Sequence, residues 1–550
     1  MRTSTSLLIL LVSLVSSGFA DEPRNPEVPF FDGLGEYSRK IQTNNSNTQR
    51  YFNQGLMFMF AYNHDEAVRA FRQAANLDPE CAMAYWGIAL ASGMNYNDPS
   101  FTPEKANVTS DALAMARQKA SEEENSNQEL INALAARYPD PAPKERVDAE
   151  KAYSDAMKAV WEKFSTDADI GALYAESLMN LRPWDLWNQD GKPQPETPEI
   201  LRTLDAVLKL DPAHPLANHL YIHAVEASPE PGKADASAEA LRGKYPALGH
   251  LLHMPSHIDI RRGRWQSAAE ANRLAIVADS KYQETVPEQG FYRLYMSHNY
   301  HMLTFAAMMQ GESKLALKTI REMTAAVPKE WVKVKENAAI ADGFMAMPLE
   351  VLKRFGRWDD ILKEPEPPEI FPIARAMRHY NRGVAFAAKG KVKDAREAQI
   401  SFRAAVASVP EDAIFGNNKA ADLLAIADQM LEGEILFRAG NSNEAIAALE
   451  SAVSREDTLR YAEPPDWFVP ARHALGAILL RDQQTEAAEK VYREDLRRWP
   501  ENGWSLHGLT QALEVLGKKE EAEQVKMRFK EVWKRADVEI QSSCFCVDER

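Results

Sequence analysis

Histidines are the residues in this chain best equipped for chemistry. Eight of its twelve lie between His214 and His301, less than a sixth of the 550 residues. His219 and His223 are spaced i, i+4, so they share one face of a helix, and Glu226 follows on that face. His250, His253 and His257 repeat the pattern, and His298 and His301 open a third row. Imidazoles and a carboxylate without thiolates form a donor set for zinc, copper or iron. One histidine on an apolar helix face is more often a hydrogen-bonded core residue than a ligand. Three rows in register specify more. The expected metal ligands are therefore His219, His223, Glu226, His250, His253, His257, His298 and His301. If the metal supports hydrolysis or oxidation, Glu226 is the candidate general base. His214, between Ala213 and Pro215, reads as loop, and His64 as an inter-helix turn. His379, His473 and His507 are isolated and read as structural.

Tyr221, Asp259, Arg261, Arg262, Asn299 and Tyr300 are candidates to orient the imidazoles, since a ligating histidine hands its second N–H to an acceptor. The aromatic run from Met179 to Trp187 precedes the block and is expected to form an adjacent wall or a buried Trp pair. Met254, Met296 and Met302 would suit copper but equally fill a core.

Positioning these residues requires helices, and a repeat supplies them. Pro212 and Pro246 stand 34 residues apart, as closing residues of successive units. Gly55, Ala67, Phe71, Ala74 and Pro79 mark the same helix–turn–helix unit near the N-terminus. Gly383, Gly390, Ala395 and Pro410 mark another, as do Gly433, Gly440, Ala445, Leu449 and Ala452. Gly476, Ala488, Tyr492 and Pro500 form a further unit, followed by Leu506, Gly517 and Ala522. Small residues let paired helices approach, and proline ends the second helix. This pattern resembles the tetratricopeptide repeat superfamily from Tyr51 to Trp533. The histidine stretches, with Phe52-Asn-Gln-Gly55 and Tyr85-Trp-Gly-Ile-Ala-Leu-Ala, look like those of predicted exported bacterial members of that group. The resemblance implies an all-α, right-handed solenoid of helical hairpins whose first helices line a concave wall. Neighbouring axes about 8–10 Å apart would bring imidazoles from adjacent helices around one ion. Pro255 should kink or restart the middle helix, leaving open which residues complete the first shell.

The expected organisation runs as follows. Residues 1–20 form a signal peptide and 21–97 the N-terminal segment with the first repeats. Residues 98–169 form a less regular helical insertion and 170–330 the histidine-rich repeats. Residues 331–535 hold the C-terminal repeats and 536–550 a polar tail. The signal reading rests on Arg2, the apolar run Leu7–Val15 and the small-x-small site Gly18-Phe19-Ala20. It implies a periplasmic or secreted protein without a membrane span after cleavage. A net charge of −15 and the lack of a basic run argue against nucleic acid. Cys544 and Cys546 in the polar tail offer a disulfide or a soft-metal site, the alternative being a disordered end, and Cys81 reads as core. No phosphate loop, nucleophile elbow or Cys-x-x-Cys pair is present. The competing function is a non-enzymatic adaptor, binding a peptide or protein partner in a histidine-lined groove.

Overall fold

The first hairpin shows how the sequence builds its repeats. Asn45 caps the helix Ser46–Phe60 by accepting from the amides of Asn47 and Thr48. Asn63 caps His64–Leu77 by accepting from the amide of Glu66. Phe71 of the second helix is fully buried between two glycines of flanking first helices. A Cβ at either Gly55 or Gly87 would stand 2.6 Å from its ring. The same device recurs near the other end. Tyr492 fills the space left by Gly476 and Gly508, where added Cβ atoms would stand 2.5 and 2.2 Å away. An aromatic knob between two bare backbones thus packs a hairpin near each end, whereas leucines, Leu431 and Leu449, meet Gly383 and Gly433 between them.

The computed structural model describes residues 28–547 apart from 99, 121–124, 140–145 and 288. The N-terminal run expected to act as an export signal lies outside them. The described chain is a succession of packed helical hairpins. Its strands are one two-residue antiparallel pair, Ile414–Phe415 with Asn418–Lys419. The region expected as a less regular helical insertion holds the helices Pro103–Lys119, Ser126–Arg137 and Val147–Lys163. No helix among the described residues is long and apolar enough to cross a membrane.

Two apolar cores form, one built mainly from residues 28–295 and the other from residues 260–547. Distant repeats touch within the second core, and a crossing segment reaches the first through the ion pair of Glu463 with His257. The Trp265 indole donates to the carbonyl of Pro500 at 3.0 Å, and the Trp504 indole to that of Met308 at 2.8 Å. Between the helices Ser442–Glu456 and Ala471–Arg481 the chain runs without helix and buries Glu463, Trp467 and Phe468. The histidine rows lie at this seam. The concave wall is consequently not the open groove that the repeat frame implied.

The C-terminal segment also departs from expectation. Arg354 and Arg438 donate to the carbonyls of Ser543 and Cys546, and the Ser543 hydroxyl donates to the carbonyl of His473. Cys544 and Cys546 are joined as a disulfide, and Cys546 is buried. The tail is a packed element through Val547, because its carbonyls satisfy buried guanidinium groups. Cys81 is a buried free thiol, as its helical context implied.

Candidate metal centre

Three helical stretches carry the array: Pro215–Glu226, the pair Gly249–His253 and Pro255–Arg261, and Tyr292–Met309. Pro215 sits in the first turn of its helix, where a missing N–H costs nothing. His214 caps that helix, its Nδ1 accepting from the Ala217 amide at 3.1 Å. Its Nε2 lies 3.2 Å from Asp169 and 3.0 Å from the Tyr37 hydroxyl, so it belongs to the framework. Pro255 breaks the hydrogen-bond ladder, but Met254 keeps helical angles (φ −50°, ψ −39°) and the path continues. His253 and His257 therefore still meet, with Nε2 atoms 2.7 Å apart.

The imidazoles form a contiguous ladder. Ring centres lie 5.0 Å apart for His219–His223, 4.9 Å for His219–His250 and 5.2 Å for His223–His257. They lie 5.5 Å apart for His250–His253, 4.6 Å for His253–His257 and 4.7 Å for His253–His298. Three groups of donor atoms fall within 4.8 Å of one another: His219/His223/His250, His253/His257/His298 and His223/Glu226/His257. Nitrogens around a tetrahedral ion, bound at about 2.0–2.1 Å, stand about 3.3 Å apart. The 3.2 Å between the Nε2 atoms of His219 and His250 already fits that spacing.

The outward nitrogens settle which atoms face inward. His219 Nδ1 lies 2.8 Å from the carbonyl of Phe60, which can only accept, so this nitrogen carries the proton. His223 Nδ1 stands 2.9 Å from Glu226 Oε1. His253 Nδ1 stands 2.7 Å from Asn272 Oδ1, an oxygen assigned by the amide's own donation to Ala268. His257 Nδ1 faces two carboxylates, Glu226 at 2.6 Å and Glu463 at 2.8 Å. Three Nδ1–H groups thus point at oxygen, His257 Nδ1 sits within ion-pair range of two carboxylates, and the Nε2 atoms of the four rings turn into the ladder. His223 Nε2 is buried with no hydrogen-bond partner among the described residues. Two lone pairs cannot face each other at the 2.7 Å between His253 and His257. A proton, carried by His257, must lie between them.

Burial and charge explain the protonation. Burial pushes His219, His250, His253 and His298 well below the ordinary imidazole range, and His223 below it too. Neutral imidazole is the metal-binding form. His257 is the exception: burial opposes its charge, but Glu226 and Glu463 outweigh burial and raise it to about 10. Glu226 is held well below the carboxylate range despite burial, by His257 and His223. Burial raises Glu463 to about 7.

Aromatic rings seal the array. Tyr62, at the tip of the first hairpin, lies 4.5 Å from His219 and stacks on His250 at 5.7 Å. Tyr295 meets His250 at 4.7 Å. From the expected aromatic wall, Trp184 reaches His223 at 5.5 Å, whereas Trp187 donates to the carbonyl of Ala224. His64 opens the second helix, and its ring lies 5.4 Å from Tyr62. His219, His223, Glu226, His250, His253 and His257 are between 0 and 2% exposed. His298 is half-buried and borders a cavity of about 190 Å³.

His301 lies apart from the ladder. It joins none of the donor groups, and its ring stacks on Phe468 at 4.6 Å. The expected orienting residues serve elsewhere. Asp259 pairs with Arg242 and Arg264, Asn299 donates to Asp279, and Arg261 donates to the carbonyl of Ser228. Met254 and Met302 are core. The sulfurs of Cys544 and Cys546 are bonded to each other, near Glu434. Sequence reasoning missed Asn272 and Glu463. The usable signal for Glu463 was a break in helical period at Tyr461-Ala-Glu-Pro-Pro-Asp-Trp-Phe468, a polar residue inside an aromatic, proline-rich crossing.

No protein-family model and no curated protein matches the chain. Among solved structures it is similar to the human IFIT1 dimer with m7Gppp-AAAA, at 15% identity and a TM-score of 0.33, over 90% of this chain and 91% of that one. It is similar to the APC/C hetero-tetramer Cut9–Hcn1 at 12% identity and a TM-score of 0.32, over 86% and 78%. Yeast Tom70 matches at 13% identity and a TM-score of 0.28, over 88% and 90%.

Proposed function

We propose that this protein is a metal-binding helical-repeat scaffold, whose buried imidazole ladder holds one or two transition-metal ions of the zinc, copper or iron class. The reading is carried by the outward Nδ1–H contacts of His219, His223 and His253, which leave three neutral Nε2 lone pairs within the ladder, while His257, paired with Glu226 and Glu463, would have to release its Nε2 proton to bind. Histidine ligands are oriented in this way when their second nitrogen is tied to carbonyl or carboxylate. His219, His223 and His250 would form one ligand group, and His253, His257 and His298 the other. Glu226 would act between them, as the carboxylate that orients His223 and His257 rather than as a free base. His298 would give substrate or solvent its approach, since it alone of the six is half-buried. Catalysis would then need an open coordination position beside it.

The coarser function, a helical-hairpin scaffold for protein partners, is supported by the fold itself and would use other surfaces. A peptide cannot touch imidazoles that are 0 to 2% exposed without opening the seam. Export through the N-terminal signal belongs to the same proposal, and N-terminal sequencing of the mature protein tests it. The test of the metal reading is elemental analysis of untagged protein after reconstitution with zinc, copper or iron. One or two equivalents are expected in the wild type, with loss in a His223→Ala/His257→Ala variant of unchanged helicity. No stoichiometric metal in the wild type refutes the proposal.

A further inference from the structure

The cavity beyond His298 has a character of its own. Its volume is about 190 Å³, and its walls are largely apolar: Leu294, Val327, Trp331, Ile340, Phe344 and Met345. Ile340 is 38% exposed, so the cavity reaches solvent at that side. His298 and His301 border it together, one turn apart on the helix Tyr292–Met309. His301 is 4% exposed, and its Nε2 has no hydrogen-bond partner among the described residues. A buried polar atom without a partner at the edge of an apolar cavity is an invitation to a ligand, because leaving it unpaired costs free energy that a bound donor or acceptor recovers.

We infer that this cavity binds a small monocyclic aromatic molecule bearing a hydroxyl group, with the ring between the apolar walls and the hydroxyl at His301. Three observations set the class. Size comes first: an apolar cavity of about 150 Å³ accommodates benzene, so one of this volume takes a single ring with one or two small substituents. Polarity follows from the walls, which favour a neutral aromatic body and would strip water from a charged one at a cost. The head group follows from His301 itself. Burial lowers it to about 3, so the ring is neutral at ordinary pH and carries one donor and one acceptor nitrogen. A hydroxyl both donates and accepts, and therefore complements either tautomer, whereas a carboxylate complements only one. Assigning the cavity as the ligand pocket of the metal centre rests on the metal reading, because His298 is the residue they share. Binding itself does not require a metal.

The test uses the full chain, once after chelation and once reconstituted with zinc, titrated with 4-methylphenol, toluene and 4-methylbenzoate by calorimetry or ligand-observed NMR. Saturable 4-methylphenol binding is expected in both preparations, with toluene about tenfold weaker for loss of one hydrogen bond. His301→Phe, which keeps the stack on Phe468, should bring 4-methylphenol down to the toluene level. Ala341→Phe should fill the cavity, since Ala341 is a buried part of its wall, and abolish binding. Absence of 4-methylphenol binding overturns the inference, as does toluene binding equally well. Tighter 4-methylbenzoate binding overturns the head-group assignment and transfers it to Arg293, which also borders the cavity. The wild-type comparison stands even if Ala341→Phe fails to fold. Failure of the metal reading shows separately, as absent metal in elemental analysis with phenol binding intact.

Discussion

Changing Glu226 to glutamine probes the centre through an atom that need not touch a metal. Glu226 is 1% exposed and serves two histidines, with His223 Nδ1 at 2.9 Å from one oxygen and His257 Nδ1 at 2.6 Å from the other. Glutamine keeps the shape but supplies one acceptor where the carboxylate supplied two. One of the two Nδ1–H groups must then face an NH2 donor or rotate away, which turns its Nε2 out of the ladder. His257 retains Glu463 at 2.8 Å, so His223 is the ring expected to lose its orientation. Loss of such an orienting partner weakens metal binding by about 10- to 100-fold, or about 1.4–2.7 kcal/mol. The assay is competition of chelator-treated protein against a metal indicator, with cobalt absorption as a second readout of ligand geometry. Glu463→Gln serves as the internal comparison, because Glu463 contacts His257 alone among the imidazoles. Its effect should be the smaller one. Matching affinities for Glu226→Gln and wild type, at unchanged helicity, would refute the orientation argument. So would a larger effect from Glu463→Gln.

Two further outcomes follow from the framework. Gly55→Ala places a methyl 2.6 Å from the Phe71 ring, which Gly87 pins from the other side. Overpacking of about 1–3 kcal/mol, less the roughly 1 kcal/mol that alanine gains in a helix, should leave a net loss of up to about 2 kcal/mol in denaturant unfolding. Asp169 accepts from Tyr37, Arg39 and His214, and although burial raises its pKa, His214 and Arg39 bring it down to about 2 from 3.8. A depressed carboxylate pKa stabilises the fold above the unfolded value. That contribution, about 2–3 kcal/mol, is complete above about pH 4 and disappears as pH falls to about 2. Unfolding curves between pH 6 and 2 should therefore show a steeper acid loss for the wild type than for Asp169→Asn.

What the sequence could reveal about this site depended on how local the cause was. Helices, hairpins and the in-register rows of His219/His223 and His253/His257 follow from periodicity, because residues three and four apart share a helix face whatever surrounds them. Pro255 was legible as an interruption, but its consequence was set by Met254, whose helical angles carry the path across. The repeat frame also placed His301 with His298 in the third row. It could not see that the third helix is continuous where the second is divided, nor that Phe468 arrives from far along the chain to take His301 out of the ladder. Asn272, Glu463 and the carbonyl of Phe60 orient the rings from the following helix, the interior crossing and the first hairpin respectively. None is adjacent in sequence to the histidine it holds. Closure of the solenoid supplies the carboxylate of Glu463 and the enclosing rings, and it buries the ladder. An open solenoid with the same three helices would present solvated histidines whose Nδ1 atoms water could satisfy. Here His219, His223, His253 and His257 find protein oxygen, and their Nε2 atoms are left facing inward. The contacts between distant repeats therefore belong to the site as much as the imidazoles do.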